Sequence, residues 1–306
     1  MPALIVYLLK VNVALCLFYI TYRFALRPLT FYYLNRFFLV FGIIFSSAYP
    51  FINLSALFVK HELLSRQLTT IVPDWHAVVP AITHQTQAFD YWQIAIALFW
   101  VGVVVMAMRL ITQFFSLYRI YRSSNPAHHY GQYFRSVSGD LNPFSFWQDI
   151  YLNPEKHSDD ELRTILAHEQ VHVKEWHTLD VLLAELSTIF YWFNPGVWFM
   201  KQAVKENLEF ITDRKILQGG IDEKVYQYSL VRVGGLMQGA EIVNNFNIST
   251  IKKRIMMMNK KSSSKANITR YVLLPMVMLL VLVFTVSKAE INGNRISVLI
   301  KRCYLG

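Results

Sequence analysis

Long apolar runs alternate with short charged segments in the first third of the chain, and a further run lies near its end. A transmembrane helix needs about 20 mostly apolar residues. Four runs approach this length: residues 3–22, 37–59, 91–108 and 271–287. The first contains Lys10 as its one charge, and the third resumes after Arg109 and continues to Tyr118. The pattern predicts about four transmembrane helices.

Composition favours the same class of protein. Hydrophobic residues make up 54% of the chain and charged residues 16%, whereas soluble domains average about 25% charged residues. These values exclude a purely soluble enzyme and a disordered protein. Cys16 and Cys303 are the two cysteines, which excludes a disulfide framework and a cysteine-based metal site. The first run lacks the basic start and cleavage site of a signal peptide, so we interpret it as an anchor.

Basic residues are unevenly distributed between the loops. The loop 23–36 holds three arginines and no acid, and the segment 119–270 holds nineteen Lys or Arg. If successive loops lie on alternating sides of the membrane, one side carries 22 basic residues and the other side carries six. Because cytoplasmic loops are enriched in Lys and Arg, we predict that 119–270 is cytoplasmic and that both termini lie outside. The basic run 251–265 is expected to meet anionic lipid, and we expect no direct nucleic-acid binding.

A helix is predicted to begin at residue 159. Ser158 and Glu161 have the spacing of a capping box, and acidic residues fill the first turn. Apolar residues then recur at helical spacing, at Leu162, Ile165, Leu166 and Val173.

The predicted helix carries the sequence HEQVH at positions 168–172. His168 and His172 are four residues apart, so their imidazoles share one face and can bind one zinc ion. Glu169 then lies beside the open coordination position and is predicted to be the general base. We predict one zinc ion per chain.

Catalytic zinc takes three protein ligands, so a third is expected further along the chain. The candidates are His177, Glu185, Glu206, Glu209 and Asp213. A second amphipathic helix is predicted over 204–217, and Glu209 and Asp213 share one of its faces. One solution is a Glu209 ligand backed by Asp213, which would hydrogen-bond a ligand histidine. Glu206 is the competitor, and a solvated charge is the alternative for each.

A fifth apolar stretch, residues 181–200, contains Glu185 and the turn sequence Asn194-Pro195-Gly196. If this stretch crossed the membrane, Glu209 would lie across the bilayer from both histidines. We therefore predict a core helix or a helical hairpin that turns at Asn194-Pro195 and dips into the membrane interface.

These segments resemble the BlaR/MecR-type membrane zinc peptidases. The resemblance rests on NPFSFW at 142–147, on residues 161–174 around HEQVH, on WFNP at 192–195 and on the spacing from Glu209 to Asp213. It extends over residues 90–290. Its most specific parts are the HExxH context and the Glu-x-x-x-Asp element.

The resemblance implies a mainly α-helical protein of the bacterial inner membrane, with a cytoplasmic gluzincin domain that carries a small β edge. The domains are then three transmembrane helices in 1–118, the zinc domain in 119–270, and the last helix with a short outer tail in 271–306. Glu209 is implied as the third zinc ligand, and Asp213 as a residue that supports the site.

Further residues are predicted to orient the substrate. The resemblance implies an edge strand over 144–151 near the cleft, to which an extended substrate would add as a strand. Phe144, Ser145 and Phe146 are therefore candidates for this role. His177, just after the motif, is predicted to orient substrate or to stabilise an oxyanion.

Members of the resembled family sense an external signal, often a β-lactam, and cleave a cytoplasmic repressor. By analogy we expect a zinc endopeptidase that cleaves a cytoplasmic protein, such as a DNA-binding repressor. One alternative is a housekeeping membrane zinc protease similar to the prenyl-protein or heat-shock peptidases. Another is a non-catalytic signalling scaffold with a vestigial site.

The chain departs from the β-lactam sensors near its C-terminus. Those members end in a large outer penicillin-binding domain with a serine nucleophile. Here 19 residues follow Ser287, and they contain no Ser-x-x-Lys. We therefore expect that this chain does not sense a β-lactam directly through a covalent bond. A truncated product of a longer sensor would show the same feature.

Overall fold

The computed structural model describes residues 2–52, 91–139, 141–235 and 241–285, without the side chains of 234–235, 241–248 and 283–285. Its α-helices are α1 (Ala3–Thr21), α2 (Tyr32–Ala48), α3 (Tyr91–Ser123), α4 (Asp159–Lys174), α5 (His177–Phe190), α6 (Pro195–Gln218), α7 (Glu223–Gly235), α8 (Glu241–Met258) and α9 (Leu273–Thr285). The strands are β1 (Asn125–His129), β2 (Gln132–Ser136), β3 (Phe144–Phe146) and β4 (Asp149–Leu152).

Four helical segments in this part of the chain are long and apolar enough to cross a membrane: Ala3–Leu26, Tyr32–Phe51, Tyr91–Ser123 and Lys265–Leu282. They correspond in order to the four predicted runs, which confirms that prediction by length and composition. Residues 53–59 of the second run, the predicted outer loop and the outer tail lie outside the described residues. Helix α3 spans about 50 Å at 1.5 Å per residue. It runs through the predicted boundary at 118/119 and exceeds the hydrocarbon core of about 30 Å.

The apolar stretch 181–200 forms a helical hairpin rather than one long helix. Helix α5 ends at Phe190 and α6 begins at Pro195. The Asn194 side chain accepts a hydrogen bond of 2.7 Å from the Gly196 N–H, which caps the new helix. The predicted turn at Asn194-Pro195 is confirmed.

Helix α6 lies at the centre of the helical part and packs against α1, α2, α4, α5 and α8. Val197, Met200 and Val204 of α6 are almost fully buried in one core with Phe18 of α1 and Phe38 of α2. The core of the predicted membrane helices and the core around α6 are therefore continuous.

The segment between α1 and α2 packs directly on α6. Arg27 donates to the Glu206 carboxylate at 3.1 Å, and Asn207 donates to the Tyr32 carbonyl at 2.9 Å. The Thr30 carbonyl accepts from Arg214 at 3.2 Å. This segment is thus fixed to the helix that carries Glu209.

The four strands form one sheet in the order β1-β2-β4-β3. Strands β2 and β4 are parallel, and the other two pairs are antiparallel. The segment 144–151, predicted as an edge strand, is a hairpin of β3 and β4 that turns at Trp147, and β3 forms the edge of the described sheet. The sheet packs on α4 through the buried residues Phe134, Ile150, Leu152, Leu162, Ile165 and Leu166.

Candidate metal centre

Helix α4 begins at Asp159, as its capping sequence predicts. The Ser158 N–H donates to the Glu161 side chain at 3.0 Å, and the reciprocal bond completes the capping box. Leu162, Ile165 and Leu166 are buried against the sheet. Packing of this apolar stripe against the sheet directs His168 and His172 towards α6.

Three side chains converge between α4 and α6. The His168 and His172 Nε2 atoms lie 3.3 Å apart. The Glu209 carboxylate lies 3.4 Å from His168 Nε2 and 3.6 Å from His172 Nε2. One ligand atom from each side chain falls within 4.8 Å of the others. This spacing brings together the three residues that the sequence predicts as ligands.

Glu206 and Glu185, two of the other acidic candidates, are paired with basic side chains. The Glu206 carboxylate pairs with Arg27 and with Lys253, at 3.1 and 2.6 Å. Glu185 pairs with Lys201 at 2.6 Å. Neither carboxylate belongs to the group that converges with the two imidazoles, so the geometry favours Glu209 over either of them.

Tyr226 of α7 connects His168 to Asp213. Its hydroxyl donates to Asp213 Oδ1 at 2.7 Å and lies 2.8 Å from His168 Nδ1. Because the phenolic proton goes to Asp213, the oxygen accepts the His168 Nδ1–H, which leaves the Nε2 lone pair free. The prediction that Asp213 hydrogen-bonds a ligand histidine is corrected here: the carboxylate reaches His168 through Tyr226.

Arg254 of α8 joins the two carboxylates of α6. It donates to both oxygens of Asp213 and lies 2.9 Å from Glu209 Oε2. Burial by itself would raise the pKa of Glu209, but the Arg254 guanidinium and the two imidazoles hold it well below its ordinary value. Glu209 is therefore ionised, as a metal ligand has to be.

Sequence reasoning missed Tyr226 and Arg254. Arg254 belongs to the basic run 251–265 that was expected to meet lipid, yet it and Lys253 bind carboxylates inside the protein. Nothing in the local sequence distinguishes Arg254 from its neighbours. Tyr226 lies on a separate helix, 58 positions from His168, and no short motif links the two.

His177, the first residue of α5, lies on the far side of His172. The two Nδ1 atoms are 2.8 Å apart. His177 is 2% exposed, and burial together with the neighbouring His172 and Arg36 lowers its pKa to about 2. It contacts the nitrogen of His172 that points away from Glu209, so it does not join the three converging side chains. Its role in orienting substrate stays a prediction.

A cavity of about 910 Å³ opens over the converging side chains. Glu169 is in its wall, together with all three of the converging residues. Asn142, Pro143, Phe144 and Ser145 form the wall on the side of β3. Phe146 instead packs edge-on against Phe114 of α3, with ring centres 6.1 Å apart. Of the three predicted strand residues, Phe144 and Ser145 thus reach the cavity wall.

The sequence profile of the BlaR1 peptidase M56 family matches residues 11–258. This range contains part of α1 and all of α2, α3, the sheet and the converging site. The chain belongs to the BlaR1 peptidase M56 family. This membership confirms the resemblance found in the motifs. The family is one of membrane metallopeptidases.

The regulatory protein BlaR1 of Bacillus licheniformis is one relative in this family. It is 31% identical over 108 residues, which are 32% of this chain and 18% of that protein. The chain therefore matches less than a fifth of the length of this relative.

The M56 family implies a metal ion, and the donor set of this chain fits one. Two imidazole nitrogens and a carboxylate face each other at 3.3–3.6 Å. His168 and His172 each have a protein partner at Nδ1, which directs both Nε2 lone pairs to the same point. Electron-rich atoms this close repel each other unless a cation or proton lies between them.

Proposed function

We propose that this chain is a zinc-dependent membrane endopeptidase that cleaves a cytoplasmic regulatory protein in a transmembrane signalling response. One observation carries the proposal: His168, His172 and Glu209 converge in a cavity whose wall also contains Glu169. Two histidines and a glutamate are the ligand set of gluzincins, and a glutamate that follows the first histidine is their general base.

His168, His172 and Glu209 would hold the zinc ion, one per chain. Zinc in such a site acts as a Lewis acid that polarises a peptide carbonyl. Glu169 accepts the proton of the attacking water and passes it to the leaving amine. Arg254 and Tyr226 keep Glu209 and His168 in place through their hydrogen bonds. Asp213 acts behind both residues.

The edge strand β3 is the proposed docking site for substrate. It lies at the sheet edge and continues into the cavity wall at Phe144 and Ser145. An extended peptide adds to such an edge through main-chain hydrogen bonds, so an unstructured segment of the substrate is favoured over a folded one.

The membrane topology is part of the proposal. The contact of Arg27 with Glu206 requires the α1–α2 loop and the metal centre to be on one side of the membrane. The excess of Lys and Arg on that side favours the cytoplasm of a bacterial cell. The catalytic region 119–270 is then cytoplasmic, and both termini are outside.

A regulatory substrate, by analogy a DNA-binding repressor, is favoured by the family and by the relative, whose name is that of a regulatory protein. An adjacent gene for a small winged-helix repressor would agree with this role. Its absence would favour the housekeeping protease.

The mechanism is tested by comparing protein N-termini in cells that express the wild type or Glu169→Ala. The expected result is a set of cytoplasmic cleavage products that disappears in the variant, although the purified variant keeps its zinc. Glu155→Ala, which changes an exposed glutamate before α4, is the control and should cleave normally. Identical products from the wild type and Glu169→Ala would contradict the proposal.

A further inference from the structure

We infer that His177 is a positioning residue that accepts the Nδ1–H of His172 and so aims the Nε2 lone pair of His172 at the metal. The inference rests on the proposed function, because it concerns the same metal centre. It assigns to a buried histidine a role different from contact with substrate.

The direction of the hydrogen bond follows from chemistry at the other end of the ring. His172 Nε2 lies 3.3 Å from His168 Nε2 and 3.6 Å from Glu209, so it must offer a lone pair to bind an ion. A neutral imidazole then carries its proton on Nδ1. His172 Nδ1 is 2.8 Å from His177 Nδ1, and His177 is the acceptor.

A simple packing role does not account for His177. The residue is 2% exposed. Its Nε2 atom is buried and has no hydrogen-bond partner among the residues that the structure describes. Burial of a polar group with a missing partner costs about 1–3 kcal/mol, which an apolar side chain of similar size would avoid. The contact with His172 is the feature that an apolar residue would not supply.

The backbone before His177 is bent in a way that brings it back to His172. Glu175 and Trp176 separate α4 from α5. Trp176 has a φ of 57°, in the left-handed region that is unfavourable for a bulky residue. Its ring packs edge-on against Trp147, with centres 5.3 Å apart. This strained turn places His177 five positions after His172 and within hydrogen-bond distance of it.

Arg36 of α2 holds the same turn from outside. Its side chain donates to Asp180 in the first turn of α5 at 2.6 Å and to the Glu175 carbonyl at the end of α4 at 2.9 Å. The two contacts bracket Trp176 and His177. The position of His177 is therefore fixed on both sides along the chain.

The experiment measures zinc retention by the purified full chain in detergent against increasing chelator. His177→Leu removes the acceptor but keeps much of the volume, and it should weaken zinc binding by about 10–100-fold, as loss of a partner behind a ligand does. His177→Asn places an oxygen near the position of Nδ1 and should retain affinity within about threefold of the wild type. His157→Leu and His157→Asn, which change a histidine before α4, are the matched controls and should behave alike.

The comparison of His177→Asn with His177→Leu distinguishes a hydrogen-bond acceptor from a side chain that only fills space. If His177→Leu holds zinc as tightly as the wild type, or if His177→Asn is as weak as His177→Leu, the inference is wrong. If the Leu variant does not fold, His177→Gln replaces it, since its amide lies one bond further out and should not restore binding. A wild type that binds no zinc would overturn the proposed function, whereas a zinc-binding wild type with unaffected variants would overturn this inference alone.

Discussion

Arg36, in the second membrane helix, forms an ion pair of 2.6 Å with Asp180, in the first turn of the helix that follows the HExxH helix. The Asp180 side chain is 10% exposed and that of Arg36 is 21% exposed. A direct polar link therefore joins a helix predicted to span the membrane to the turn behind the metal centre.

Replacement of Arg36 by Met should destabilise the protein by about 1–3 kcal/mol, because the Asp180 carboxylate is left buried without its partner. Thermal unfolding of the purified protein measures the effect. Arg23→Met, which changes an exposed arginine just after α1, is the control and should unfold near the wild-type temperature. An equal decrease in the unfolding temperature of both variants would mean that the Arg36–Asp180 pair makes no specific contribution to stability.

Glu209→Gln should lower the zinc content from one ion per chain to near zero, because a neutral amide is a poor ligand for this ion. Glu206→Gln provides the matched comparison one helical turn away and should keep its zinc. Metal analysis of both purified variants measures the difference. Loss of zinc in Glu206→Gln alone would exchange the roles of the two glutamates.

Tyr226→Phe should weaken zinc binding by about tenfold while the protein stays folded. The change removes the hydroxyl between His168 and Asp213 but leaves the Asp213–Arg254 ion pair in place. Chelator competition measures the affinity. Tyr228→Phe, an exposed position on the same helix, should have no effect, and equal affinities in the two variants would contradict this prediction.

Glu161→Gln should destabilise the protein by about 0.5–2 kcal/mol at neutral pH, because it weakens the cap of α4. Burial raises the pKa of Glu161, but hydrogen bonds from Ser158 and the charge of Arg232 outweigh burial and leave the pKa below its ordinary value. A carboxyl with a lowered folded-state pKa stabilises the fold above its unfolded-state pKa, and this stabilisation is lost as the pH falls through the folded-state pKa. The difference in free energy of unfolding between the wild type and Glu161→Gln should therefore decrease below about pH 4.5. Unfolding experiments at several pH values measure it. Glu155→Gln should show no such trend.

Cysteine labelling on intact cells tests the topology. With Cys303 replaced, cysteines introduced at Asn125, Gln218 and Asn292 should differ in their reaction with an impermeant thiol reagent. Only the Asn292 site should react, because the positive-inside rule places the other two in the cytoplasm. Labelling at Gln218 without labelling at Asn125 would contradict the proposed arrangement.

Local sequence signals predicted much of what the structure shows. The capping box fixes the start of α4, and the Asn194-Pro195 turn ends an apolar run that would otherwise look like a fifth span. In both cases the information lies within a few residues of the feature. The same holds for the His168 and His172 pair, whose separation of four positions is set by helix geometry.

The rest depends on contacts between distant parts of the chain. In the sequence, Arg254 and Tyr226 look like ordinary polar residues of exposed helices. Tertiary packing of α7 and α8 over the site brings the two side chains together. The β1–β2 hairpin was not predicted, since its turn at Tyr130-Gly131 carries a weaker signal than Asn-Gly. Neither the α1–α2 loop nor α6 carries a local sequence pattern that predicts their contact.

The continuous core of α1, α2 and α6 has a practical consequence for biochemistry. A fragment of residues 119–270 would expose Val197, Met200 and Val204, which α1 and α2 now help to bury, and would lose the contact of Arg27 with Glu206 one turn before Glu209. Such a fragment is expected to aggregate rather than to behave as a soluble peptidase. Assays for substrates or inhibitors therefore require the whole chain in detergent or lipid.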